Sequence, residues 1–368
     1  MSPQLLLAPA ANGKTHHVIA RIQATLTAEP LAPIAVILPN QMRVAEFRRR
    51  LAEAGGALGV RLFTFHTLYA KILTRAGKPR ARLTDPVQVR LLRAIVDRLH
   101  QEGRLRHFAP LRARPGFITA LRAAIEELKR ARIEPDDFST AVSGLGDHLG
   151  EIAAIYTAYQ EWLLRENWVD PEGQGWLAAM ALDADPQLES GLRLVVVNGF
   201  DEFNPTQMGV LALLAQRADE TLIALIGDPE NPNRLAHRRF HRAHSALTAA
   251  LDLSPTPLPP CPPAPLASIE NNLFESTRQR INEAPIHHSS FTIPHFVEAQ
   301  TRAAEARAAL RWVKNLIVQE GFEISDVAVM ARDMTPYRPF LEEVAAEFSL
   351  PLRVLGGLPL AENPAVAA

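Results

Sequence analysis

The sequence predicts an α/β fold on parallel strands, with a helical insertion in its middle and a second α/β unit starting after a proline-rich stretch. Three observations carry this. Short apolar runs alternate with amphipathic stretches over residues 1–75. Between 84 and 185 the texture changes to Ala, Leu, Arg and Glu at helical spacing, with almost no strand signal. Strand texture then returns at Leu192–Val197 and Thr221–Ile226. Short apolar runs separated by helices argue for parallel strands buried on both faces.

The first strand, Leu5–Ala8, runs directly into Ala8-Pro9-Ala10-Ala11-Asn12-Gly13-Lys14-Thr15. This reads as a phosphate-binding loop of form A-x-x-x-x-G-K-T, with Ala8 where the strict pattern has glycine. Backbone N–H groups of such a loop wrap a phosphate, and Gly13 permits the close approach. Lys14 then reaches the β- and γ-phosphates, and the Thr15 hydroxyl can ligate Mg²⁺. Helical spacing from His16 to Gln23 puts the phosphates at a helix N-terminus. Next come a strand at Ile34–Leu38, a helix at Arg43–Ala54 and a strand at Val60–Phe63.

Downstream, Val195-Val196-Val197-Asn198-Gly199-Phe200-Asp201-Glu202 is a buried strand that ends near paired carboxylates. A nucleotide hydrolase needs one acid to hold Mg²⁺ and another to polarise the attacking water. Asp201 is read as the metal-side acid and Glu202 as the catalytic base, on a strand neighbouring the phosphate loop. The alternative is an exposed turn with two solvated acids.

Residues 254–265 hold seven prolines. They are read as an extended linker unable to keep a hydrogen-bonded ladder, with partner docking as the alternative. After it, Phe291–Pro294, a helix at Ala299–Gln319 and a strand at Asp326–Met330 open the second unit.

Composition sets bounds. The length, 368 residues, suits two or three domains, and the net charge of −1 announces no global nucleic-acid field. The only cysteine, Cys261, excludes a disulfide framework, a cysteine zinc site or an iron–sulfur cluster within this chain. No membrane-length apolar run or signal peptide is visible, which reads as a soluble, cytoplasmic protein.

Six ordered stretches resemble a known family. They are the loop at 8–15; Leu38-Pro39-Asn40-Gln41 before an Arg-rich helix; Phe63-Thr64-Phe65-His66-Thr67-Leu68; and Pro115-Gly116-Phe117 followed by Ile125-Glu126-Glu127-Leu128-Lys129. The last two are Gly199-Phe200-Asp201-Glu202-Phe203 and the run from Asp326 through Arg332 and Tyr337 to Leu360. The set resembles the N-terminal part of superfamily 1, UvrD-like helicases. More narrowly it resembles the B-type partners of AddAB/RexAB helicase–nucleases, to which the Gly-Phe before the acids and Ile155-Tyr156-Thr157-Ala158-Tyr159 point.

That resemblance implies a RecA-like ATP-binding domain over 1–75 plus 190–253, a helical insertion over 76–189, a linker over 254–290 and the beginning of a second RecA-like domain over 291–368. It implies ATP and Mg²⁺ as cofactors, with Gly13, Lys14 and Thr15 on the phosphates and Thr15 and Asp201 on the metal. Pro39, Asn40, Gln41, Thr64, Phe65 and His66 match segments that touch single-stranded DNA. Phe65 is equally readable as a core aromatic. Arg332 matches the arginine that reaches towards the γ-phosphate. The implied partners are single-stranded or duplex-end DNA and an A-type helicase–nuclease subunit, in double-strand-break repair.

Some features depart from that pattern. The upstream adenine-reading glutamine has no counterpart, and Asn231 stands where a coupling glutamine belongs. Relatives continue past Ala368 into a nuclease, so a truncated chain without nuclease activity is expected. Two rivals stand beside the motor: a non-hydrolysing scaffold that binds DNA and a partner, and a P-loop phosphotransferase unrelated to DNA. Three smaller features are assigned to surface. His237–His244 reads as a basic, solvated or phosphate-facing helix in preference to a metal site. Arg43, Arg48, Arg49 and Arg50 form an exposed face or a DNA edge, and His287-His288 lies in a loop.

Overall fold

The computed structural model describes residues 3–10, 12–229, 231–258 and 297–355. Phe291–Pro294, His287-His288, Cys261, the rest of the linker from 259 and the run 356–368 lie outside the described residues. The chain divides into two compact units, Met1–Asn282 and Glu283–Ala368.

The first unit is built on a six-stranded, all-parallel sheet in the order β3-β2-β6-β7-β1-β8. Its strands are β1 (Gln4–Ala8), β2 (Ile34–Ile37), β3 (Val60–Phe63), β6 (Leu192–Asn198), β7 (Ala218–Ile226) and β8 (Pro255–Pro257). Successive residues of β1 face opposite layers, as the two-residue strand period demands. Leu5 and Leu7 enter one hydrophobic core and Leu6 and Ala8 the other. Helices α1 (Lys14–Ala28) and α2 (Gln41–Glu53) cover the Leu6 side, burying Val18, Ile19, Ile22, Val44 and Phe47. On the Leu5 side lie α3 (Phe65–Arg75), α8 (Pro171–Ala184), α9 (Pro205–Arg217) and α10 (His241–Leu251). This is the α/β, RecA-like architecture.

Two details correct the sequence reading. The acidic strand β6 does not neighbour β1, because β7 lies between them. Residues Thr221–Leu225 of β7 are all buried, and a buried strand must find ladder partners on both of its edges. The proline-rich stretch does keep a ladder at its start. Pro255–Pro257 runs parallel to β1, with Leu5 opposite Pro255 and Leu7 opposite Pro257, and Leu258 N–H donates to Leu7 O at 3.0 Å. Proline is tolerated there because an edge strand needs hydrogen bonds on one side only.

The insertion has its own core. Helices α4 (Asp85–Gln101), α5 (Pro115–Arg130), α6 (Pro135–Ala141) and α7 (Asp147–Arg165) gather Leu92, Val96, Leu99, Ile125, Tyr156 and Tyr159. A two-residue parallel ladder of β4 (Ala81–Arg82) and β5 (Trp168–Val169) lies at its base. Ala178 and Leu182 of α8 belong instead to the core beneath the sheet. The join is a buried ion pair. Lys129 Nζ lies 2.7 Å from Asp170 Oδ2, with side chains 1% and 3% exposed. Asp170 also accepts from Tyr159 OH at 3.0 Å and caps α8 through Gly173 N–H at 2.7 Å. Burial pulls the Lys129 ammonium below its ordinary pKa, and the Asp170 carboxylate opposes that.

In the second unit α11 (Arg302–Val318) packs on α12 (Arg338–Glu347) through Ala306, Leu310, Leu341 and Val344. Arg307 grips Glu347 with two bonds of 2.6 Å. The strand expected at Asp326–Met330 is absent. A 3-10 turn occupies Ile324–Asp326, and Val327 is extended without a ladder. An apolar run becomes a strand only against a neighbour, and the described residues of this unit offer none.

Removing one partner from the buried pair should be costly. Lys129→Met is expected to lower the unfolding free energy by about 3 kcal/mol, read as a shift of the urea midpoint, because it strands a buried carboxylate.

Candidate functional site

The carboxyl end of β1 delivers the chain into the loop at 8–15, and the loop feeds α1. Gly13 sits at the N-cap of α1 with φ 73° and ψ 10°, a left-handed conformation that favours glycine. Its carbonyl accepts from His17 N–H at 2.9 Å, closing the first turn. No acidic side chain lies in that turn, so the positive end of the 15-residue helix is unopposed locally. Lys14 Nζ turns back onto the loop, 2.9 Å from Ala8 O and 2.5 Å from Pro9 O. The Thr15 hydroxyl accepts from Asn198 Nδ2 at 3.3 Å.

The expected acidic pair lies elsewhere. β6 ends at Asn198, and Gly199 (φ 84°) and Phe200 separate it from Asp201. Asp201 is paired with Arg239. Glu202 is exposed. Both acids line a cleft of about 920 Å³ that also takes in Pro39, Asn40, His66 and Gly199–Gln207. Gly13, Lys14 and Thr15 do not line it. Arg43, Arg130 and Arg242 supply its positive charge, against Glu127 and Glu172. Arg130 Nε holds Glu172 at 3.0 Å, yet burial leaves the Glu172 carboxyl above its ordinary pKa. Burial likewise raises the Tyr69 phenol on the same wall. The Thr206 hydroxyl is buried in this cleft with no hydrogen-bond partner among the described residues.

The residues matched to DNA segments divide by exposure. Pro39 and His66 face the cleft, and Asn40 lines it while capping α2 by accepting from Arg43 N–H at 3.0 Å. Gln41 is exposed at the start of α2 and does not line the cleft. Thr64 is buried, its hydroxyl and N–H both engaged with Thr67 in the cap of α3. Phe65 is 4% exposed, edge-on to Phe200 at 5.3 Å and to Phe203 at 6.5 Å. Of the two roles open to it, this packing is that of the core aromatic: its ring supports the cleft floor. Arg332 is exposed in the second unit, on a cavity of about 460 Å³ shared with Arg302, Glu305 and Tyr337.

The histidine-dense stretch is not one α-helix. Leu235–Phe240 is a 3-10 turn and only His241–Leu251 is α-helical; His237 is buried, and with His241 and His244 it lines a cavity of about 480 Å³, so this stretch is not the solvated helix expected. Among the described residues no group of three metal-binding side chains occurs. Asn231 closes a local turn, its N–H and side-chain amide both donating to Asp228 at 3.2 and 3.3 Å. Arg49 and Arg50, read as part of an exposed helix face or a DNA edge, are paired along α2 with Glu46. Among the described residues no helix is long and apolar enough to cross a membrane.

A family profile described as "ADDB, N-terminal" matches residues 5–253, which take in the insertion and the sheet except Gln4 and the edge strand β8. The chain belongs to this AddB N-terminal family. It is 28% identical over 409 aligned residues to the B-type chain of the ATP-dependent helicase/deoxyribonuclease of Moorella thermoacetica, and 25% identical over 396 to that of Bacillus subtilis. Each alignment covers 100% of this chain and 33% of the relative. A third, from Heliobacterium modesticaldum, is 27% identical with 32% of the relative covered. The chain therefore spans about a third of the length of these relatives.

In this AddB-family chain, reasoning from sequence passed over Asn198, Arg239, Tyr69 and Thr206. A signal existed for the first: Asn198 directly ends the apolar run Leu194–Val197, which is where a strand-end ligand stands. Arg239 carried none, since its approach to Asp201 bridges 38 residues.

Burial separates the roles of the adjacent Phe65 and His66. Phe65→Ala is expected to cost about 3 kcal/mol in thermal or urea unfolding, the usual range for emptying a core aromatic site. His66→Ala, at an exposed position, should leave stability unchanged in the same measurement.

Proposed function

We propose that this chain is the nucleotide- and DNA-binding front region of a helicase–nuclease subunit that acts on duplex ends in double-strand-break repair, beside an A-type partner in the cytoplasm. The observation that carries the reading is the loop between β1 and α1. It places Gly13 in a left-handed turn, the N–H groups of a long helix behind it, and Lys14 and Thr15 at the mouth. ATP phosphates would displace the Ala8 and Pro9 carbonyl oxygens from the Lys14 ammonium, exchanging neutral acceptors for charged ones. The relatives are named as parts of an ATP-dependent helicase/deoxyribonuclease, which supports the same ligand and substrate class.

The cleft beside Asp201 and Glu202 is the proposed path of single-stranded DNA. Arg43, Arg130 and Arg242 offer phosphate contacts, and His66 and Tyr69 offer aromatic edges, without a base-reading pattern. The scaffold reading, in which nucleotide is held and not hydrolysed, is favoured by one specific observation: Asp201 is engaged by Arg239 on the cleft side.

Binding of a fluorescent ATP analogue by the 368-residue chain tests the proposal. Lys14→Ala should weaken that binding by at least about tenfold, equivalent to losing one charge-assisted contact. Raising salt from about 50 to about 200 mM should weaken single-stranded DNA binding by an order of magnitude or more. A Lys14→Ala protein that binds the analogue as the parent does would refute the assignment of the loop.

A further inference from the structure

We propose that Asn198 makes this a site that holds a nucleoside triphosphate with little help from Mg²⁺, because the strand-end position facing the Thr15 hydroxyl carries an amide in place of a carboxylate. The inference rests on the nucleotide reading above and concerns how that site treats the cation.

In phosphate-loop nucleotide hydrolases the cation is held by the loop hydroxyl together with a strand-end aspartate. Here the loop hydroxyl is that of Thr15, and the side chain that reaches it is Asn198, the last residue of β6, at 3.3 Å and 7% exposed. In either orientation an amide is neutral and offers one oxygen. Mg²⁺ demands a tight octahedral set of oxygens and draws its protein ligands chiefly from carboxylates. The residues on this side of Thr15 do not fit the ion.

The acids one loop further on do not make up the loss. Phe200 is buried in the core under the opposite face of the sheet, stacked on Phe203 at 5.0 Å, and this pins the turn that follows β6. Asp201 therefore meets Arg239, and Asp201 and Glu202 line the cleft with Pro39 and His66, a cleft that excludes the phosphate loop. Phosphate charge at the loop is left to the Lys14 ammonium and the N-terminal N–H groups of α1, neither of which needs a metal.

The test is the affinity of the full 368-residue chain for N-methylanthraniloyl-ATP in EDTA and in Mg²⁺, a binding readout independent of turnover. The parent protein should change by less than about threefold between the two buffers, and Asn198→Asp should be tightened at least about tenfold by Mg²⁺. A parent protein tightened that strongly by Mg²⁺ overturns the proposal, as does a folded Asn198→Asp whose ratio stays at the parent's value. Asp201→Asn tests the competing assignment at a residue on the cleft: a Mg²⁺ effect present in the parent and lost there also overturns it. Should Asn198→Asp fail to fold, the parent and Asp201→Asn ratios still decide. Absence of binding by the parent in both buffers is a different result, which removes the nucleotide reading and this inference together.

Discussion

The parallel sheet closes only with β7 lying between β1 and β6, and the position of every candidate group in the first unit follows from that. β7 is the longest strand of the unit, and its central residues are buried on both faces, so both of its edges require ladder partners. With β7 interposed, α1 leaves the end of β1 and packs across β7 and β6. The start of α1 thereby meets the end of β6, which is how Thr15 comes to Asn198 across 183 residues of sequence. The same order leaves one edge beside β1 open, and β8, with two prolines in three residues, is a strand suited to an edge.

The helical insertion then shapes what lies on the other face. Its attachment through Lys129 and Asp170 fixes α5 against the N-terminus of α8, and Arg130 and Glu127, neighbours of that lysine, reach the cleft. Trp176 of α8 donates its indole N–H to Lys129 O at 2.9 Å, a further tie at the same corner. The loop at 8–15 and the cleft are thus separate features of one sheet, joined by the short turn from Asn198 to Phe203. A neutral residue stands at the end of that turn facing Thr15, and two acids follow further along it.

Much of this could be read from residues alone. The α/β class, the loop at 8–15 and the main strands of the first unit followed from apolar runs and from one glycine-lysine-threonine spacing, features local in sequence. Lateral strand order was not local. Nothing in Leu192–Val197 says which strand lies beside it, and β6 was therefore placed next to β1. Tertiary pairing also overrode composition at Pro255–Pro257, and it withheld a strand from Val327–Met330, where an apolar run has no neighbour among the described residues. At the site, the acids Asp201 and Glu202 are conspicuous in the sequence, whereas the contact of Asn198 with Thr15 depends on lateral strand order, which no local pattern reveals. Exposure decided the rest. Phe65 and His66 are adjacent in one motif, yet the first turn of α3 buries one and presents the other.

Everything proposed for the first unit turns on the loop at 8–15 being a triphosphate site. A crystal structure of the chain with a non-hydrolysable ATP analogue tests it most directly. The β- and γ-phosphates are expected over Gly13, Lys14 and Thr15, with the Lys14 ammonium moved from Ala8 O and Pro9 O onto phosphate oxygen. An analogue seated elsewhere, with Lys14 still bonded to those two carbonyls, would contradict it.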